Sequence, residues 1–146
     1  MKKITSSIIG GIAGAGALNI LHQAVKQFDH LAPRVDLVGE EAITKSLEKA
    51  GITPTTGNTL FTITMAADLL SNAAYYSLIG TGKRKQLPYI GAITGFAAGF
   101  GALTLTKPMG LSDAPVTRTG KTKFLTVAWY TLGGLVAGSI MKALRK

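Results

Sequence analysis

Asp68 and Asn72 stand four residues apart in a stretch, Ala50 to Gly82, that holds no other charge. On a helix this spacing places both side chains on one face. A carboxylate beside an amide in apolar surroundings supports two chemistries. In the first, Asp68 lines a cavity and handles a proton or a cation. In the second it is protonated and hydrogen-bonded to a neighbouring helix, with Asn19, Thr64 and Thr94 as available partners. An acid at mid-bilayer is disfavoured by at least ~2.5 kcal/mol on insertion scales, so one of these compensations is required.

Other residues only imitate reactive sites. His22, Asp29 and His30 resemble a metal-ligand set, but their spacing does not share a helical face, and no metal is expected there. Gly120-Lys121-Thr122 ends like a phosphate-binding loop, yet the glycine that opens that motif would fall at Pro115, and no strand precedes it. Gly11-x-x-Gly14-x-Gly16 lacks a preceding strand too. There is no cysteine, so no thiolate catalyst, disulfide or zinc-thiolate site can form. No Ser/His/Asp constellation or paired carboxylate is evident. The expectation is a protein that is not an enzyme and carries no cofactor.

The elements that must hold Asp68 follow from where charge is missing. The chain has 146 residues, the length of one domain, and is 47% hydrophobic. Charged residues make up 16%, below the roughly 25% of soluble domains. Runs with little or no charge cover Ile4–Val25, Ala50–Gly82, Gln86–Thr106 and Phe124–Met141. Each approaches the ~20 residues that a helix needs to cross a bilayer. The expectation is an all-α integral membrane four-helix bundle over residues 1–146, with spans at about 4–25, 57–80, 87–106 and 123–142. A soluble bundle would show a polar face with period 3.6, and these runs show Ser, Thr, Gly and Ala instead. Met1-Lys2-Lys3 and Ala15-Gly16-Ala17 have the form of a cleavable signal peptide. The apolar run continues past that site through Val25, which favours a retained span.

Basic residues set the orientation. Lys2 and Lys3, then Lys83, Arg84 and Lys85, then Lys142, Arg145 and Lys146 form three short segments without acids. They belong on one side, the cytoplasmic one, with both termini inside an inner membrane. The connection around Lys107, Arg118, Lys121 and Lys123 is also basic and weakens the asymmetry. The net charge of +9 is assigned to topology and anionic headgroups, not to a nucleic acid. The bilayer is thus the first partner, with a homo-oligomer or a larger membrane complex as the second.

A phrase recurs: Ile9-Gly-Gly-Ile-Ala-Gly14 and Ile90-Gly-Ala-Ile-Thr-Gly95. Ala32-Pro33 and Ala114-Pro115 echo one another in the connections. These similarities point to a tandem, parallel repeat of a two-helix unit. Lipid provides no hydrophobic drive between helices, so small residues mark the faces where backbones meet. The packing residues expected are Gly10 and Gly14 in the first span, Gly91, Gly95 and Gly99 in the third, and Gly134 and Gly138 in the fourth. The first span is expected to pack against the third around the repeat axis. Gly95 lies inside a strip and Gly80 at a helix end, so leucine at Gly95 is expected to disrupt packing more than leucine at Gly80.

Between the first two spans, Val35, Val38, Ala42, Leu47 and Ala50 approximate one helical stripe. An amphipathic surface helix is expected at about 36–50, started by an Asp36 cap and ended by Gly51 and Pro54. Arg34 and Asp36 are expected to anchor it to the bundle.

The Gly-rich first span, the segment His30-Leu-Ala-Pro-Arg-Val-Asp-Leu-Val-Gly-Glu-Glu-Ala42 and a second Gly-rich span together resemble small polytopic bacterial inner-membrane proteins of uncharacterised function. The resemblance is concentrated in residues 10–42. It implies a fold and transfers no site residue. The function expected is a structural or accessory membrane subunit. The competing class is a small proton, ion or solute conductor with Asp68 in its path.

Overall fold

A computed structural model describes residues 1–146. Every regular element in it is helical. Helix α1 runs Lys3–Val25, α2 Val35–Lys49, α3 Gly57–Ser77, α4 Leu87–Thr104, α5 Ala114–Thr117 and α6 Gly120–Leu144. Two 3-10 turns, Leu78–Thr81 and Arg84–Gln86, join α3 to α4. Pro88 opens α4, where its missing N–H leaves no bond unmade. Thr119 caps α6 by accepting from the Thr122 N–H at 3.0 Å.

Three helical segments are long and apolar enough to cross a membrane: Lys3–Val25, Arg84–Thr104 and Gly120–Leu144. The fourth expected span, α3, falls short of that apolarity. The reason lies in its letters, since Thr59, Thr62, Thr64, Asp68, Ser71, Asn72 and Ser77 dilute the aliphatic residues.

The long helices pack in the order α4, α6, α1, α3, with α6 and α1 in the middle. This corrects the expected pairing of the first span with the third. The glycines of both turn to α6 instead. A Cβ on Gly10 would strike Met141 and the Ala137 carbonyl, and one on Gly14 would strike Ala137 and the Gly133 carbonyl. Gly91 faces the Gly134 carbonyl, Gly95 the Tyr130 carbonyl, and Gly99 the Val127 backbone. Gly134 and Gly138 answer from α6, against Gly91 and the Leu87 carbonyl respectively. α6 therefore carries small residues on two faces, and its neighbours approach to backbone contact on both. Such approaches permit Cα–H···O contacts along the seam.

Gly80 is enclosed as well. A side chain there would collide with Ser7 and with the Arg145 guanidinium. The sequence showed a helix end, but the fold places α1 directly against it.

Helix α2 has an amphipathic pattern and lies against α3 and α5. Gly39 packs on α3, with the Thr64 methyl 2.6 Å from where a Cβ would sit. The helix closes as expected, at Gly51 with φ +73°. Gly51 N–H donates to Glu48 O and Ile52 N–H to Leu47 O, which together make a Schellman motif. Its start differs from expectation. Arg34 occupies the cap position and Asp36 caps nothing, because its carboxylate is bound to side chains.

Candidate functional site

Asp68 is half-buried on α3, at the boundary between the bundle and a cavity. Its Oδ2 accepts from Asn19 Nδ2 of α1 at 3.0 Å, and its Oδ1 accepts from Asn72 Nδ2 at 2.9 Å. Asn19 is held in turn, because the same nitrogen donates to the Ala15 carbonyl at 3.1 Å. Of the three partners considered from sequence, Asn19 makes the bond. Thr64 lies beneath Gly39, and Thr94 uses its carbonyl to accept from Tyr75 Oη at 3.0 Å.

The cavity has a volume of about 660 Å³ and lies between α3 and α4. Those two helices are the outer members of the row and touch sparsely, at the level of Tyr75 and Thr94. α2 covers one side through Val35, Val38 and Ala42, and the segment after α4 adds Met109 and Leu111. Polar groups are concentrated on the α3 wall: Asp68, Ser71, Asn72 and Tyr75. Asp68 is the one acidic or basic side chain on the whole lining. The arrangement is an apolar chamber with a single carboxylate and its amide partner along one wall.

The cover is fastened by a second cluster. Asp36, on the first turn of α2, takes Arg34 Nη2 at 2.7 Å and Lys26 Nζ at 3.2 Å. Burial pushes the Asp36 carboxyl upward, but the hydrogen bonds from Arg34 and Lys26 outweigh it and hold the group below the usual carboxylate range. The same contact raises the Arg34 guanidinium further above its ordinary value. Arg34 also donates its backbone N–H to the Pro115 carbonyl at 3.0 Å, which joins the two Ala-Pro turns. Midway along α2, Glu41 accepts from the Ser112 N–H at 2.8 Å and pairs with Lys45 at 2.7 Å. Those donors lower its carboxyl, the Lys45 hydrogen bond most.

The histidines do not converge. His22 is buried with its ring edge-on to Tyr130, centroids 5.8 Å apart. Asp29 is paired with Lys121, which holds its carboxyl below the usual range. His30 lies on the turn after α1, and its carbonyl accepts from Arg118.

Several structural contacts had no separate signal in the sequence. Gly11 and Gly133 lie in close backbone contact with α3 and α1, although neither belongs to the expected strips. Tyr76 is fully buried and donates to the Tyr130 carbonyl at 2.8 Å. Arg145 reads from sequence as one more cytoplasmic cation. In the fold it is buried, and it donates to Ser6 Oγ, Ser7 Oγ and the Gly80 carbonyl.

Comparison with family models, with curated proteins and with solved structures finds no match to this chain.

Proposed function

We infer that the chain is a multi-pass membrane protein with four spans, α3 among them, serving as a non-enzymatic structural or accessory component. The observation that carries the reading is the distribution of polarity. Large apolar side chains point outward along every long helix: Ile4, Ile8, Ile12 and Ile20 on α1, Ile63 and Leu70 on α3, Ile93 and Phe96 on α4, and Phe124 and Leu132 on α6. Water would penalise such a surface, and lipid does not.

The polar residues that lower the apolarity of α3 are mostly bonded within the protein. Thr62, Ser71 and Ser77 donate back to carbonyls of their own helix. Asp68, Asn72 and Tyr75 bond to each other or across helices. Internal satisfaction of this kind is what a membrane interior demands. α3 also ends level with the start of α1, where Lys3 Nζ donates to the Thr81 carbonyl at 2.9 Å. The three acid-free basic segments meet at that same end, as a cytoplasmic face of an inner membrane protein requires. The pairing of α1 with α3 and of α4 with α6 supports a duplicated two-helix unit. Reporter fusions test the topology: those after Lys85 and after Lys146 should read cytoplasmic, and one after Ser112 should read external. A cytoplasmic signal after Ser112 would overturn four spans.

The second reading, conduction, is favoured by one observation, the position of Asp68 on a cavity wall. A flux assay in proteoliposomes separates the two. Proton or cation flux in the wild type, absent in a folded Asp68→Asn variant, would replace the accessory role.

A further inference from the structure

We propose that the chamber between α3 and α4 binds a lipophilic ammonium, with the cation against Asp68 and the hydrocarbon along the wall formed by α2 and the segment after α4. The inference goes beyond topology, and it does not depend on whether the protein is accessory or conducting.

The argument starts with acceptor capacity. A carboxylate offers about four lone-pair sites. Asn19 and Asn72 use one on each oxygen of Asp68. Both partners are neutral amides, so they orient the carboxylate without balancing its charge. No lysine, arginine or histidine lines the chamber, and none lies in ion-pair contact with Asp68. Asp68 is thus a half-buried acid with no cationic partner, and it lines the chamber. The amide of Asn72 and the hydroxyls of Ser71 and Tyr75 lie on the same wall. The remaining lining is mostly hydrocarbon, from Val38 and Ala42 to Leu105 and Met109.

The size agrees. A volume of about 660 Å³ falls within the roughly 300–1,000 Å³ of small-molecule pockets. An anion would meet like charge at Asp68, and a neutral chain would leave the carboxylate uncompensated. A hydrated metal ion would find no second carboxylate and a lining that is largely apolar. A monocation carried on a hydrocarbon matches both walls at once.

Dodecylammonium and dodecanol are the probes, since they share a chain and differ in charge. Equilibrium dialysis against the full chain in maltoside micelles, with empty micelles as the blank, measures binding. The wild type should bind dodecylammonium saturably at one site. Asp68→Asn should weaken that binding roughly tenfold or more, as expected when a charge-assisted contact is lost, and should leave dodecanol unchanged. Ala42→Phe projects from the covering helix into the chamber and should weaken both probes while the carboxylate stays in place. It also decides the matter if the Asn variant fails to fold. Equal dodecylammonium binding by the wild type and Asp68→Asn overturns the proposal. So does equal binding by the wild type and Ala42→Phe, or the absence of saturable binding in the wild type.

Discussion

Arg145 Nε donates to Ser6 Oγ at 2.8 Å across 139 positions of sequence. Its Nη2 reaches Ser7 Oγ at 2.9 Å and the Gly80 carbonyl at 2.8 Å. One guanidinium therefore ties the end of α6 to the start of α1 and to the turn that follows α3. The planar fork of five donors suits a site with acceptors on several sides.

Arg145→Ala should lower stability by about 1.5–3 kcal/mol, the range for hydrogen bonds to a charged group. Arg145→Lys should recover part of the loss, because an ammonium keeps the charge but not the fork. Thermal unfolding in detergent reads the order wild type, Lys, Ala. Identical midpoints for all three would remove this contact from the forces holding the end together.

Alanine at Gly91 should destabilise and alanine at Gly16 should not. A Cβ on Gly91 collides with the Gly134 backbone, and the immovable partner makes an overpacking penalty of ~1–3 kcal/mol reasonable. Nothing lies within 4 Å of a Cβ on Gly16. The same unfolding assay compares them, and a Gly91→Ala midpoint at or above that of Gly16→Ala would contradict the α4–α6 seam.

Asp68→Asn should keep the fold and Asp68→Leu should weaken it. In the Asn variant the Asn72 amide can turn over to accept from the new side-chain NH₂, while Asn19, fixed on the Ala15 carbonyl, still finds an oxygen. Leucine removes the partner of the Asn72 amide and leaves Asn19 with the Ala15 carbonyl alone, a loss of roughly 1–2 kcal/mol by model-peptide measures in membranes. Circular dichroism on heating would show it, and a Leu variant as stable as the Asn variant would argue that the amides do not depend on Asp68.

The hold on α2 should weaken in acid. Asp36 has a folded pKa below its unfolded one, so its contribution is complete above the unfolded value of about 3.9 and is lost as pH falls through the lower folded value. Hydrogen exchange at Val38–Ala42 should therefore hold steady from pH 6 down to about pH 4 and accelerate as the pH falls further. Most of that change should vanish in Asp36→Asn. An exchange rate in the wild type independent of pH, after correction for intrinsic exchange, would exclude the Asp36 cluster as the anchor.

The helices were legible because their signals are local. The absence of charge from Ile4 to Val25 needs no knowledge of neighbours, and neither does the Gly51 stop of α2. Part of the Asp68 site was legible as well. An acid within an apolar run requires a partner, and Asn72 stands one helical turn away. Asn19 could be named as a candidate partner but not selected over Thr64 or Thr94, because selection depends on which helices adjoin.

By itself the sequence determined the helical class, the course of the long elements, the amphipathic α2 and the residues small enough for close packing. Those properties reside in composition and period, which chain neighbours fix. Only the tertiary structure decided that α6, not α1, receives the glycines of α4, that Gly80 is enclosed and that Arg145 is buried. It alone left α3 and α4 parted around Asp68. Glycine spacing shows where a backbone can approach and carries no label for the partner. That choice is made by the simultaneous fit of all helices, through contacts such as Tyr76 to Tyr130 and Arg145 to Ser6 that join residues far apart in the chain.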